Sequence, residues 1–170
     1  ASGWVLEAGS ALSGNDNTDA DPEVLVAIGD LSTSIGAADI TEVEMVTTTA
    51  DKSEGFTISV RVRYNEPVDV VTTGGTPTLA VTNSNAGSGS GRGPHSLSYA
   101  SGTGTNELIF SLAIAAANAA TNADDVLSVG AQTIALNSGT IKDASGTASD
   151  AALAISGAQG TAAGTVTVTA

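Results

Sequence analysis

Residues 56–64 alternate without a break. Phe56, Ile58, Val60, Val62 and Tyr64 are apolar, while Thr57, Ser59, Arg61 and Arg63 between them are polar. Strict alternation of this length predicts a half-buried strand of an antiparallel sheet. Pro67 is expected to end that run, because it has no N–H to give to a central ladder. The same period recurs at Leu108, Phe110, Leu112 and Ile114, and at Val166 and Val168 in the Thr-Val-Thr-Val-Thr segment. Shorter runs at Val24–Ile28, Leu79–Val81, Leu97–Tyr99, Val126–Val129, Ile134–Leu136, Ile141 and Leu153–Ile155 are separated by Gly, Asn or Pro. Many short strands with turn residues between them predict an all-β antiparallel sandwich of two sheets. Only Ala113–Ala123 is rich enough in alanine for a helix, and Asn118 and Asn122 within it favour a single turn.

Polarity divides the chain. Residues 9–23 are almost wholly small or polar, and a second break at Ser34–Ala38 precedes Ile40, Val43 and Met45. The expectation is an extended acidic N-terminal arm over 1–38, carrying one short strand, and a compact domain over 39–170. Of the 170 residues, 18 are acidic and five basic, a formal charge of −13. Eleven of the acids fall in residues 1–54. A nucleic-acid partner needs a Lys/Arg surface to displace counterions, so that class is excluded. An anionic membrane surface is excluded on the same ground, and no apolar run reaches the roughly 20 residues needed to span a bilayer. The absence of cysteine removes disulfides and thiolate metal sites.

Catalytic chemistry finds little to work with. His95 is the single histidine, follows a glycine-rich stretch, and is expected in an exposed loop. No Gly-x-Ser-x-Gly elbow and no phosphate-binding glycine pattern is present. A two-carboxylate glycosidase would sit among aromatic rings, and the chain has one Trp, two Tyr and two Phe. The expectation is therefore no enzyme and no cofactor. Calcium is the one metal to consider. Asp16, Asp19 and Asp21, with Asn15 and Asn17, crowd oxygen ligands together, but lack the glycine and the bidentate glutamate of a calcium loop. Asp124-Asp125 is a weaker pair, since neighbours in a strand or turn point apart.

Three segments carry a resemblance. Residues 55–71 (GFTISVRVRYNEPVDVV) with Gly75-Thr76-Pro77-Thr78-Leu79, then Tyr99–Leu108 (YASGTGTNEL), then Ile134–Gly146 (IALNSGTIKDASG) resemble, in order, motifs of bacterial immunoglobulin-like repeats. Tyr64 and Asn65 stand where an aromatic and Ser are usual, Thr147 replaces a closing Asn, and the Gly87–Pro94 insertion is long. The resemblance implies a structural or adhesive module with no catalytic residues to carry over. Such domains occur in surface adhesins and in tailed-phage virion proteins.

Between those settings the sequence favours the virion. The chain reads as one domain plus an arm, Ala1-Ser2 is what methionine removal leaves, and both ends are expected to be native. The polar 9–23 stretch and the Gly87–Gly93 loop bury too little surface to order themselves, so something outside the chain is expected to hold them. The expected role is a capsid decoration (cement) protein on the outer surface of a phage head. Its partners would be the major capsid protein and neighbouring copies of itself, arranged as multimers on a symmetric shell. Trp4, Val5 and Leu6 are candidate interface anchors. The Val166/Val168 strand, with no Lys or Pro to guard it, is a candidate for strand addition. The alternative is a cell-surface or tail-fibre adhesion or carbohydrate-binding module, with Trp4, Tyr64 and Tyr99 as its only realistic aromatic platform.

Overall fold

A computed structural model describes residues 2–6, 23–28, 36–85, 93–117, 121–144 and 148–170, the first two segments as backbone alone. The chain divides into two units, Ala1–Ile35 and Gly36–Ala170. In the first, β1 (Ser2–Leu6) pairs antiparallel with β2 (Glu23–Ile28), setting Trp4 opposite Val26 and Val5 opposite Val24, with an irregularity between Trp4 and Val5. A second strand thus joins the single one expected in this segment.

The second unit is all-β and sandwich-like. In chain order its strands are β3 (Ile40–Met45), β4 (Ala50–Asp51), β5 (Phe56–Val71), β6 (Thr78–Asn85), β7 (His95–Ser101) and β8 (Thr105–Ile114). There follow β9 (Asp125–Ser128), β10 (Gln132–Thr133), β11 (Thr140–Asp143), β12 (Ala154–Ile155), helix α1 (Gly157–Ala162) and β13 (Thr165–Thr169). Nine of these strands form one curled sheet in the order β11-β5-β8-β7-β6-β9-β13-β4, with β3 also on β5. The curl comes from β6. Its first half, Thr78–Val81, pairs with β7, and its second half, Thr82–Asn85, pairs with β9. β10 and β12 form a separate small pair.

Alternation does what the sequence suggested along β5. Ile58, Val60, Val62, Tyr64 and Val68 are buried, while Ser59, Arg61, Arg63, Asn65 and Pro67 are more exposed; Glu66, within the irregular stretch, is buried as well. They pack with Leu79, Val81, Leu97, Leu108, Phe110, Leu127, Ile134, Ile141, Val166 and Val168 in one core. Pro67 does not end the strand. Between the pairs Arg63–Glu107 and Val68–Thr105, four residues of β5 stand opposite Asn106 alone. That bulge takes Pro67 out of the β8 ladder, so its missing N–H removes no bond. Its carbonyl accepts instead from the Ala144 N–H at 3.0 Å.

The segment favoured as a single turn, Ala113–Ala123, holds no helix among its described residues, and the helix of this unit lies elsewhere. Residues 113 and 114 complete β8, and α1 falls at Gly157–Ala162. Composition does not favour it, but a capping box does. The Gln159 N–H donates to Ser156 Oγ at 3.2 Å, and the Ser156 N–H donates to Gln159 Oε1 at 2.8 Å. Gln159 Nε2 then donates to the Ile40 carbonyl at 2.7 Å, and the Met45 N–H to the Ala163 carbonyl at 2.9 Å. The helical segment therefore shields the far edge of β3.

Tyr64 ties the long strand to the region before α1. Its hydroxyl donates to the Ala152 carbonyl at 3.0 Å, the residue is 1% exposed, and burial pushes the phenol well above its ordinary pKa. Tyr64→Phe keeps the ring and removes that bond. A loss of about 0.5–1.5 kcal/mol in urea-unfolding free energy is expected, with an unchanged m-value. No measurable loss would mean that the hydroxyl contributes nothing net.

Candidate functional site

Among the described residues, four of the five ion pairs gather at the polar positions of β5. Three neighbouring strands bring opposite charges into register there. Glu42 on β3 stands opposite Arg63 on β5, which stands opposite Glu107 on β8, and Glu44 stands opposite Arg61. Arg63 donates through Nε and Nη2 to Glu107 Oε1, at 3.0 and 2.7 Å, and through Nη1 to Glu42 at 2.5 Å. Arg61 pairs with Glu44 and lies 3.6 Å from the other oxygen of Glu107. The five side chains are between 31% and 51% exposed, so this is a surface network rather than a buried one.

The hydrogen bond from Arg63 holds the Glu107 carboxyl below the usual range, helped by the charges of Arg61 and Arg63. Reciprocally, Glu107 and then Glu42 raise the Arg63 guanidinium. Solvent screens such pairs, and they add little to stability. Their effect is geometric: cross-strand bonds hold the five long side chains together in one nearly neutral strip. Beside it, the Thr47 hydroxyl donates to the Thr57 carbonyl at 2.9 Å and accepts from the Ser59 N–H at 2.7 Å. The sequence carried a usable signal, Glu42-x-Glu44 against Arg61-x-Arg63 at the strand period. Alternation by itself marks the polar members only as solvent-facing.

The other candidate residues are not brought together. His95 is not in an exposed loop; it opens β7 and is 6% exposed. It is buried because β6 and the segment before β9 close over it, with Asn83 Nδ2 3.3 Å and Thr121 Oγ1 3.4 Å from its Nε2. Asp124 and Asp125 part as adjacent residues should. Asp124, at φ 66°, is exposed, while Asp125 is buried and its Oδ2 accepts from the Asn122 N–H at 2.7 Å. They do not make a metal pair. Asp16, Asp19 and Asp21 lie outside the described residues, as do the side chains of Trp4, Val5 and Leu6.

Val166 and Val168 are corrected as contact residues. They are 6% and 1% exposed and face the core. β13 pairs with β9 along Thr165–Thr167 and in parallel with β4 at Val168 and Thr169, so the strand lies within the sheet. Tyr64 is also unavailable to a sugar, because it is buried. Tyr99 is half-buried, edge-on to Phe110 with ring centroids 6.1 Å apart, and its hydroxyl accepts from the Thr103 N–H at 2.8 Å. Among the described residues the large apolar side chains left exposed are Val46 and Val71, at 44% and 51%. No cavity is found among the described residues.

Comparison with protein-family models, with curated proteins and with solved structures finds no match.

Proposed function

We propose that this chain is a non-enzymatic structural protein of a virion, a capsid decoration protein that lies across joints between major capsid subunits and stabilises the head. The observation that carries the reading is the ion-paired strip on β3, β5 and β8. A polar face whose side chains are already paired loses less side-chain freedom when covered, which suits a broad joint. Repetition over a lattice makes modest contacts strong through avidity. We also read the sandwich as immunoglobulin-like. The three segments behind that resemblance fall on β5, on the β7–β8 hairpin and on the approach to β11, which are neighbours in the sheet. The adhesion or carbohydrate-binding alternative loses Tyr64 to the core and has Tyr99 half-buried.

Reconstitution tests the proposal. Purified chain is added to phage heads lacking a decoration layer, and copies per particle are counted by cryo-electron microscopy. Many copies in register with the lattice are expected, with occupancy reduced by Arg61→Glu/Arg63→Glu. Deleting residues 1–23 is expected to reduce occupancy further. Absence of head binding, or binding confined to the tail, would overturn the assignment. Full occupancy after the deletion would remove the N-terminal segment from the mechanism.

A further inference from the structure

The functional proposal leaves buried titratable groups unused, His95 among them. His95 sits where β6, β7 and the start of β9 meet, among Asn83 (8% exposed), Thr121 (0%) and Asp125 (0%). An amide nitrogen can only donate. With Asn83 Nδ2 at 3.3 Å, Nε2 must accept, and the imidazole is neutral with its proton on Nδ1. The Thr121 hydroxyl at 3.4 Å is a second donor to the same nitrogen.

These contacts hold a turn. The Asn122 N–H is bonded to Asp125 Oδ2, the Asp125 N–H reaches the Asn122 carbonyl at 3.3 Å, and the Asp124 N–H reaches the Val168 carbonyl at 2.9 Å. His95 clasps Thr121–Asp125 from one side while β13 holds it from the other. We propose that His95 is an acid-released latch: neutral, it fastens the Thr121–Asp125 turn onto β6 and β7, and protonated, it lets that turn go.

The chemistry of the surroundings gives the direction. On β6 the neighbour is the neutral Asn83, and in the segment before β9 it is the neutral Thr121, with Asp124 exposed. On β9 it is the carboxylate of Asp125, and β7 itself contributes no charged side chain; these are the groups around His95 among the described residues. Desolvation disfavours the imidazolium more than Asp125 favours it, so the ring titrates below its ordinary value. An arriving proton sets an N–H against the Asn83 amide N–H. The Thr121 hydroxyl can turn to accept it, but the amide must flip. In the unfolded chain His95 titrates near the ordinary value of about 6.5. Between that pH and the lower folded value the unfolded chain binds more protons, so stability falls on acidification through this window and is unaffected above it. The latch does not depend on the capsid reading.

Because His95 is the only histidine, NMR reads its titration directly. The expected midpoint lies below 6.5. Amide exchange at Asn122 and Asp124, corrected for its intrinsic pH dependence, is expected to speed up across the same window, by about tenfold per pH unit of the shift. Asn83→Asp, which sets a carboxylate beside Nε2, is expected to raise the midpoint by about one unit or more. A wild-type midpoint at or above 6.5 would overturn the latch. So would unchanged protection of Asn122 and Asp124 throughout the titration, a measurement that needs no variant to fold.

Discussion

Phe110→Ala is expected to lower the unfolding free energy by about 3–5 kcal/mol. Against a usual total of about 5–15 kcal/mol, that is a large share. The ring is fully buried on β8, between Val60 on β5 and Tyr99 on β7, and meets Tyr99 edge-on at an interplanar angle of 75°. Few neighbours can fill the space. The whole chain has five aromatic residues, and apart from Tyr64 and Met45 the rest of the buried core is Val, Leu, Ile and Ala, whose short side chains reach poorly into a phenyl-sized hole. Urea melts followed by circular dichroism should show the midpoint falling at constant m-value. A loss under about 1 kcal/mol would mean that the sandwich collapses around the cavity, since the measured penalty grows with the volume left empty.

Gly102→Ala is expected to be comparably damaging for a different reason. Gly102 turns β7 into β8 at φ 115°, and a Cβ there would lie 1.9 Å from the Glu107 carbonyl oxygen. The backbone conformation alone contributes about 1–3 kcal/mol of strain in a non-glycine residue. The clash adds to it, because a strand carbonyl cannot swing aside as a side chain can. The Gly102 carbonyl also accepts from the Thr105 N–H at 3.1 Å and the Thr105 hydroxyl at 2.7 Å, so a shift here unseats the start of β8. Gly104→Ala is the control. Its φ is 76°, but the nearest atom to its Cβ is Asp69 Oδ1 at 3.9 Å, so only the backbone penalty of about 1–2 kcal/mol is expected. Equal losses in the two variants, measured by thermal unfolding, would show that the close approach to Glu107 has no consequence.

The chain declares its strands where one face is buried over many residues. Period two alone identifies Ile58, Val60, Val62 and Tyr64, and again Leu108 and Phe110, as inward-facing. It is silent wherever a partner strand sets the outcome. Pro67 stays within β5 because Asn106 on another strand leaves room for a bulge. His95 follows glycines and a proline, yet is buried by Thr121 and Asp125, which arrive about thirty residues later in the chain. Val166 and Val168 read the same whether their strand is an edge or an interior one, and only the pairings with β4 and β9 decide. The helix defeats composition because Gly157, Gly160 and Thr161 are weak formers, so its cap outweighs its propensity. The charged strip was half legible: the alternation placed Arg61 and Arg63 outward, while their partners depended on the registers of β3 and β8.

The union of β13 with β4 has a kinetic side. The Thr169 hydroxyl donates to the carbonyl of Ala50, 119 positions earlier, and the two strands run parallel. A contact between such distant points forms late, because a long stretch of chain must already be in place before it closes. During synthesis, β5 to β8 can assemble while β13 is still inside the ribosome. Val166 and Val168 then arrive as the closing stave, and any stall before them leaves an open, sticky intermediate exposed to proteases and aggregation.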